Sequence, residues 1–189
     1  MPMNLSPVKC EILATMLLLE KPRRAMDIAK EVGREFPSVM MHIIGLARMG
    51  YIVSPEKGLY ALTEKSRRSL GIPEIGGEDA RAILAYLPIE KAFHFYSNVG
   101  KPLGLHADGL EDFCNKILKV SVDSLEFHKN RGDFQAWFKG LGDIELSKKV
   151  ALLKEKEFEG EEFRKRLYNI VKNRFAVLTA TAEPLASTA

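Results

Sequence analysis

The chain has 189 residues, of which 46% are hydrophobic and 28% charged, and its formal net charge at pH 7 is +3. This composition is typical of a globular protein that buries a core without disulfides or metals, and it argues against a disordered or fibrous chain. No stretch approaches the ~20 apolar residues that cross a bilayer, and residues 1–6 do not begin a signal peptide. With only Cys10 and Cys114, we expect a reduced, cytoplasmic protein that does not bind membranes.

The first predicted helix begins at Ser6-Pro7, an N-cap serine followed by a first-turn proline. Its residues from Ile12 to Leu19 are apolar on nearly every side. This pattern is typical of a helix in the core of a monomer, and equally of a helix covered by a second subunit. We predict a homodimer, held by this helix or by two long helices expected at residues 144–157 and 161–178.

The next residues predict a pair of helices. The first helix spans Ala25–Val32 and is followed by Gly33, a residue that commonly ends helices. The second spans roughly Pro37–Met49. Its apolar residues lie three and four positions apart, at Val39, Ile43 and Leu46. That spacing places them on one buried stripe.

A pair of short strands is predicted after the second helix. Residues 51–54 and 59–62 are apolar runs, and the turn-forming residues 55–58 separate them. A turn of this length joins two antiparallel strands. Thr63 then offers an N-cap for another helix.

The order of these elements resembles the winged-helix domain of bacterial and archaeal transcription regulators. The resemblance covers about residues 5–71 and rests on the segments Asp27–Gly33, Leu46–Ile52 and Tyr60–Lys65. In that family the second helix of the pair lies in the major groove, which implies double-stranded DNA as the partner. The family pattern directs five residues of this helix away from the core: Ser38, Met41, His42, Gly45 and Arg48.

Positive charge is concentrated in the same part of the chain. Residues 1–72 contain eleven Lys and Arg against seven Asp and Glu, whereas residues 73–189 contain seventeen against eighteen. A basic excess beside a predicted recognition helix is typical of a nucleic-acid contact. Arg23, in the loop before the helix pair, and Lys57, in the turn, could contact phosphates; a solvated loop is the alternative for Arg23.

The clearest linker is the stretch Gly71–Gly77, which has three glycines and a proline. We therefore predict a winged helix-turn-helix domain over residues 1–72, a helical domain over 73–178 and a disordered tail over 179–189. The predicted fold class is mainly α (α+β), with a two-stranded wing and an all-α or nearly all-α C-terminal domain.

In the C-terminal domain, residues 92–96 could form a strand or a buried helical turn, and residues 98–104 are predicted as a loop. The domain also resembles an archaeal and bacterial domain family of unassigned function over residues 92–150. The resemblance rests on the segments Phe93–Tyr96, Ser124–His128, Arg131–Phe134 with Trp137, and Leu141–Asp143 with Leu146. It implies no particular chemistry.

Five residues of this domain are candidates for a metal or catalytic site: His94, Tyr96, His106, His128 and Asp133. His94 and His128 are not closely spaced, and the chain has no cysteine cluster, no Gly-x-Ser-x-Gly and no Gly-rich phosphate loop. We therefore predict that four residues, His94, His128, Arg131 and Asp133, form a structural polar cluster, in which Asp133 caps the helix that begins at Phe134. We expect no enzymatic activity, no metal and no cofactor.

Together these patterns favour a DNA-binding transcription regulator whose helical C-terminal domain dimerises or senses an effector, which could be a small molecule or a protein. The alternative is a winged-helix module for protein–protein contacts without DNA binding. In that case Met40 and Met41 would supply an adaptable apolar surface. An enzyme or metal protein built on the C-terminal half is the third interpretation and has the least support.

Overall fold

The computed structural model describes residues 5–183, and the disorder predicted for residues 184–189 lies outside them. Within the described range the chain forms ten helices and five short strands, which confirms the mainly α (α+β) fold class. None of the helices in that range has the length and apolarity needed to cross a bilayer. The chain divides into an N-terminal unit and a C-terminal unit at the Pro73–Glu74 bond, inside the Gly-rich linker.

The N-terminal unit contains four helices and one small sheet. The helices are α1 (Pro7–Leu19), α2 (Ala25–Val32), α3 (Phe36–Arg48) and α4 (Glu64–Ser69). The strands are β1 (Arg23–Arg24), β2 (Ile52–Val53) and β3 (Leu59–Leu62), and they pair antiparallel in the order β1-β3-β2. Helices α2 and α3 and strands β2 and β3 start and end within two residues of the predicted positions. The loop predicted at Arg23 is wrong, because Arg23 and Arg24 pair with β3 and add a third strand to the predicted pair.

Local sequence explains the boundaries of the helix pair. Gly33 has a φ of 73°, a left-handed conformation that glycine adopts without strain, and it ends α2. Pro37 lies in the first turn of α3, where its missing N–H would have no helical partner. The predicted stripe of α3 is completely buried at Val39, Ile43 and Leu46.

Helix α1 is buried within the single chain. Ile12, Leu13 and Met16 join the aliphatic core formed with side chains of α2, α3 and β2. Leu17 is buried as well. The apolar character of α1 therefore needs no second subunit to explain it, and the core-helix alternative accounts for the pattern.

The C-terminal unit contains six helices and a two-stranded hairpin. The hairpin consists of β4 (Phe93–Asn98) and β5 (Lys101–Ala107), which pair antiparallel. The helices are α5 (Gly77–Leu84), α6 (Leu110–Ile117), α7 (Val122–Arg131), α8 (Asp133–Gly140), α9 (Ile144–Glu155) and α10 (Gly160–Ala182). Helix α10 contacts α5, α6, α7 and α9, so it is the central element of this unit.

Two secondary-structure predictions for this unit are wrong. Strand β5 begins at Lys101, where the sequence indicated a loop, because the chain reverses at Gly100, whose φ is 71°. Helix α10 continues to Ala182, so residues 179–182 are helical rather than disordered. The guanidinium of Arg81 in α5 donates a hydrogen bond of 2.9 Å to the Ala182 carbonyl, and this bond holds the end of α10 against α5.

The core of the C-terminal unit is aromatic. Phe113 lies at its centre and is completely buried. Its ring centroid is 5.6 Å from that of Phe93, 5.7 Å from that of Phe134 and 5.2 Å from that of Phe138, with edge-to-face geometry in each pair. This geometry is the one that aromatic quadrupoles favour. The hairpin, α6 and α8 are joined through these rings.

A buried network of four charged residues joins α9 to α10. The Nε of Arg174 is 2.7 Å from Asp143, and its Nη1 is 2.6 Å from Glu145. The ammonium of Lys149 is 2.8 Å from the other oxygen of Glu145. Each of the four side chains is at least nine-tenths buried. Two cations and two anions therefore compensate one another away from solvent.

Candidate functional site

The exposed face of α3 is the candidate nucleic-acid interface. Since the stripe through Ile43 faces the core, the opposite side of the helix presents Met41, Ile44 and Arg48 to solvent. Met41 is 63% exposed and Ile44 is 41% exposed. Arg48, at the C-terminal end of α3, has no ion pair with any residue that the structure describes. The face thus combines two apolar side chains with one cation.

The structure places the seven predicted DNA contacts in two groups. Five are exposed: Arg23, Ser38, Met41, Arg48 and Lys57. His42 and Gly45 are half-buried. A Cβ on Gly45 would lie 3.8 Å from the end of the Lys9 side chain in α1. At about 100° per residue, these two positions fall on the flanks of α3.

Only one of the two adjacent methionines supplies apolar surface. Met40 packs against the aliphatic core, and its sulfur accepts a weak hydrogen bond of 3.9 Å from the Tyr60 hydroxyl. The protein-contact interpretation assigns both methionines to an exposed apolar surface. The structure leaves Met41 alone for that role on this part of α3.

Four exposed large apolar residues of the N-terminal unit are absent from the sequence-based predictions: Met26 on α2, Phe36 and Ile44 on α3, and Val53 on β2. A signal existed for Ile44. It directly follows Ile43, and two consecutive helical residues cannot both lie on one narrow stripe. Helical spacing alone therefore indicated that one of the two isoleucines would be exposed.

The C-terminal unit contains a second candidate, a cavity of about 300 Å³ between the β4–β5 hairpin, α7 and α8. Four aromatic side chains line it: Phe93, Tyr96, Phe127 and Trp137. All four residues of the predicted polar cluster also line it: His94, His128, Arg131 and Asp133. A cavity with apolar walls and a few converging polar groups is the usual form of a small-molecule site.

Three members of the predicted cluster contact one another. The Nδ1 of His128 is 2.7 Å from Oδ2 of Asp133, and the Nε of Arg131 donates to the same oxygen at 3.2 Å. On the other side of the ring, the backbone N–H of Tyr96 donates to Nε2 of His128 at 2.8 Å. The cluster therefore joins β4, α7 and the start of α8.

These contacts determine the state of His128. Because Nε2 accepts a hydrogen bond, the proton of the neutral ring lies on Nδ1, which donates it to Asp133. Burial lowers the pKa of His128; the neighbouring Asp133 opposes this effect, and Arg131 adds to it. His128 is thus a neutral imidazole with both nitrogens engaged, which leaves it no free lone pair for catalysis.

His94 does not contact the other three residues, contrary to the prediction that it belongs to the polar cluster. Strand residues alternate between faces, so burial of Phe93 and Phe95 turns His94 outward. Its Nε2 lies 2.7 Å from the Ile89 carbonyl, and its ring lies beside that of His106, its cross-strand partner, at 5.7 Å. His94 therefore borders the cavity from the exposed side of the hairpin.

Asp133 does not cap α8 as predicted. It is the first residue of that helix, and Gly132, with a φ of 78°, occupies the N-cap position. The carboxylate contacts His128 and Arg131 through Oδ2 and makes no cap hydrogen bond. Because the chain turns at Gly132, Asp133 faces back toward α7 rather than along the amides of its own helix.

Three of the four segments that carry the second resemblance meet at this cavity; the fourth, Leu141–Asp143 with Leu146, does not line it. Phe93–Tyr96, Phe127–His128 and Arg131–Asp133 each supply lining residues, and Trp137 supplies another. The sequence indicated the importance of these segments but not their convergence. Residues 5–183 contain no group of three or more His, Cys, Asp or Glu side chains that could hold a metal ion.

Comparison of the chain with known protein families, with curated proteins and with solved structures finds no match.

Proposed function

We propose that the chain is a DNA-binding transcription regulator whose N-terminal unit contacts duplex DNA through α3. One observation supports the proposal: α2 and α3 precede the strand pair β2–β3, and the exposed face of α3 ends in Arg48, which has no ion pair among residues 5–183. This order of elements resembles that of a winged helix-turn-helix, in which the second helix enters the major groove. The mild basic excess of residues 1–72 suits the same partner.

The exposed residues divide into two kinds of contact. Arg23, Arg48 and Lys57 are cations suited to phosphates, which position a protein on DNA without reading its sequence. Ser38 and Met41 lie on the exposed side of α3 and face the base edges in this arrangement. A serine hydroxyl donates or accepts a hydrogen bond there, and an apolar side chain contacts the thymine methyl group. His42 and Gly45 are half-buried and lie at the edge of this contact surface.

The test is duplex binding by fluorescence anisotropy, measured from about 50 to 200 mM salt. We expect wild-type affinity to fall steeply with salt. Arg48→Ala should weaken binding to all sequences alike and reduce the slope of log K against log salt by about one unit. Lys119→Ala removes an exposed cation from the C-terminal unit and is the matched control, with an unchanged slope.

A protein-contact module is the second candidate, and the exposure of Met41 and Ile44 favours it. The two candidates differ in one outcome. Selection of bound duplexes from a random DNA library should enrich a shared motif if α3 reads bases. Absence of duplex binding at about 50 mM salt would contradict the regulator proposal and leave the protein-contact module.

A homodimer remains part of the proposal, because two-fold symmetry would present two α3 helices to adjacent major grooves about 34 Å apart. Since α1 is buried, the helices left for this contact are α9 and α10, and Val177 on α10 is an exposed apolar residue there. Light scattering at tens of micromolar protein measures the mass. A monomer mass would remove the dimer from the proposal without affecting single-site DNA contact.

A further inference from the structure

We propose that the cavity of the C-terminal unit binds an uncharged, planar heteroaromatic molecule of about two fused rings, which carries a hydrogen-bond donor beside an acceptor on one edge. The inference concerns a ligand of this unit and does not depend on DNA binding by the other. It follows from the size of the cavity, its walls and the pair of charged groups at its edge.

The size of the cavity sets the size of the ligand. Its volume is about 300 Å³, at the lower end of the range for small-molecule sites. An apolar cavity of about 150 Å³ holds one benzene ring. Twice that volume fits two fused rings with a polar substituent.

The aromatic walls favour a flat ligand and are held in place. The Trp137 indole N–H donates to the Lys91 carbonyl at 3.0 Å, which determines the orientation of its ring. Phe93 contacts the rings of Trp137 at 5.5 Å and of Phe134 at 5.2 Å. Rings that are already ordered lose little entropy on binding, and their faces attract another π system.

The polar edge offers a donor beside an acceptor. Arg131 uses Nε for Asp133, and its two terminal nitrogens have no hydrogen-bond partner among the residues that the structure describes. Its side chain is 55% exposed and lies over the Phe127 ring at 5.2 Å. The contacts of Asp133 use Oδ2, so Oδ1 is left as an acceptor. An N–H next to a C=O, as in a lactam, matches this pair.

The charges of the cavity cancel, which favours an uncharged ligand. Arg131 and Asp133 form an ion pair, and His128 is neutral with both nitrogens engaged. An anion that approaches Arg131 meets the carboxylate of Asp133, and a cation that approaches Asp133 meets the guanidinium. Either would also lose its hydration on entering aromatic walls without a net opposite charge to compensate.

The chain carries its own reporter for this test. Trp137 is the single tryptophan, so its indole N–H gives one cross-peak in a ¹H–¹⁵N correlation spectrum of the full-length protein. The probe is 2-quinolinone, a two-ring lactam. Three controls alter one property each: 1-methyl-2-quinolinone blocks the donor, 2-naphthoate is an anion and N-methylquinolinium is a cation.

We expect 2-quinolinone to shift the indole cross-peak to saturation, with a dissociation constant of about 1 mM or tighter, and the three controls to bind about tenfold more weakly. Arg131→Met removes the donors while keeping an apolar stem over Phe127, and it should weaken 2-quinolinone about tenfold. Arg131→Lys keeps the positive charge but removes the planar pair of donors, so it tests the loss of the donors separately from the loss of charge. Arg166→Met is the matched control, because Arg166 also lies over a phenylalanine ring, Phe158, outside the cavity.

Three results would overturn the proposal. They are tightest binding of 2-naphthoate or N-methylquinolinium, equal binding of the methylated lactam, and no shift with any probe at about 5 mM. The titration contains no DNA, so its failure leaves the proposed DNA contact standing, and failure of DNA binding leaves this result unchanged.

Discussion

The two units bury different kinds of side chain. The core of the N-terminal unit is aliphatic, built around Ile12, Ile28 and Ile43, and its ion pair between Glu11 and Arg34 lies at the surface. The C-terminal unit buries phenylalanine rings and the four-residue charge network around Arg174. Aliphatic contacts have no preferred direction, whereas ring pairs and buried ion pairs stabilise only in particular geometries. We therefore expect the C-terminal unit to be the more sensitive to loss of a single polar partner.

Loss of Arg174 should produce the largest effect. Arg174→Met leaves Asp143 and Glu145 buried without their shared cation, and the expected loss of unfolding free energy is about 3–5 kcal/mol. Urea denaturation followed by Trp137 fluorescence measures it, because the single tryptophan lies in this unit. Glu162→Gln, in an exposed ion pair on the same helix, should cost about 1 kcal/mol or less. Equal losses for Arg174→Met and Glu162→Gln would contradict the expectation that burial makes the loss of an ion-pair partner more costly.

Two adjacent isoleucines test the aliphatic core. Ile43→Ala removes a completely buried side chain and should cost about 2–5 kcal/mol. Ile44→Ala, one position further on the exposed face, should change stability by about 0.5 kcal/mol or less. Hydrogen exchange of the α2 and α3 amides reports the N-terminal unit separately. A comparable loss for Ile44→Ala would mean that its side chain packs against something in solution.

His128 should make the C-terminal unit less stable in acid. Burial lowers its pKa below the ordinary histidine value of about 6.5, so the unfolded chain takes up a proton at a higher pH than the folded one. The stability that depends on neutral His128 is present above about pH 6.5, and it is lost below that pH at up to about 1.4 kcal/mol per pH unit. His128→Gln should remove this part of the slope between pH 7 and 5.5 in the same fluorescence assay.

If His128→Gln keeps the wild-type pH dependence, the neutral state of His128 with both nitrogens hydrogen-bonded is contradicted.

Replacing each of two N-cap serines by alanine should produce the smallest difference in unfolding free energy. Ser121 accepts a hydrogen bond of 3.3 Å from the Ser124 N–H at the start of α7, and Ser121→Ala should cost about 1 kcal/mol. Ser6 occupies the same position before α1 but makes no side-chain cap bond, so Ser6→Ala should cost only a few tenths of a kcal/mol. Denaturation measures the first loss and exchange of the α1 amides the second. Equal costs would show that Ser6 forms its cap in solution.

The difference between the two units also explains what could be predicted from the sequence. Spacing identified α2, α3 and the buried stripe through Ile43, because helix periodicity is a local property. Asp143 caps α9, because its carboxylate accepts from the Leu146 N–H at 3.0 Å. Spacing does not reveal that Arg174, 31 residues later, binds the same carboxylate. No local pattern records which distant cation a buried carboxylate will meet.

The two candidate sites differ in the same way, because one depends on local spacing and the other on contacts between distant parts of the chain. The exposure of Met41 and Arg48 could be predicted from one helix alone. The cavity could not, because it requires the register of β4 against β5 and the turn at Gly132 that directs Asp133 back to His128. Treating Asp133 as an N-cap was reasonable from position alone and failed because a nearer partner, His128, competes for the carboxylate.

The contact between α5 and α10 has a consequence for how the chain is made. Arg81 and its partner Ala182 are 101 residues apart, whereas the buried residues of the aliphatic core of the N-terminal unit lie between Ile12 and Ile52. A ribosome adds about 5–20 residues per second, so α5 waits about 5–20 s for α10 to be synthesised. During that interval the phenylalanines of β4 and α6 have no complete core to enter. Nascent chains of this protein should therefore engage chaperones after the N-terminal unit has emerged, and release them once α10 has left the exit tunnel.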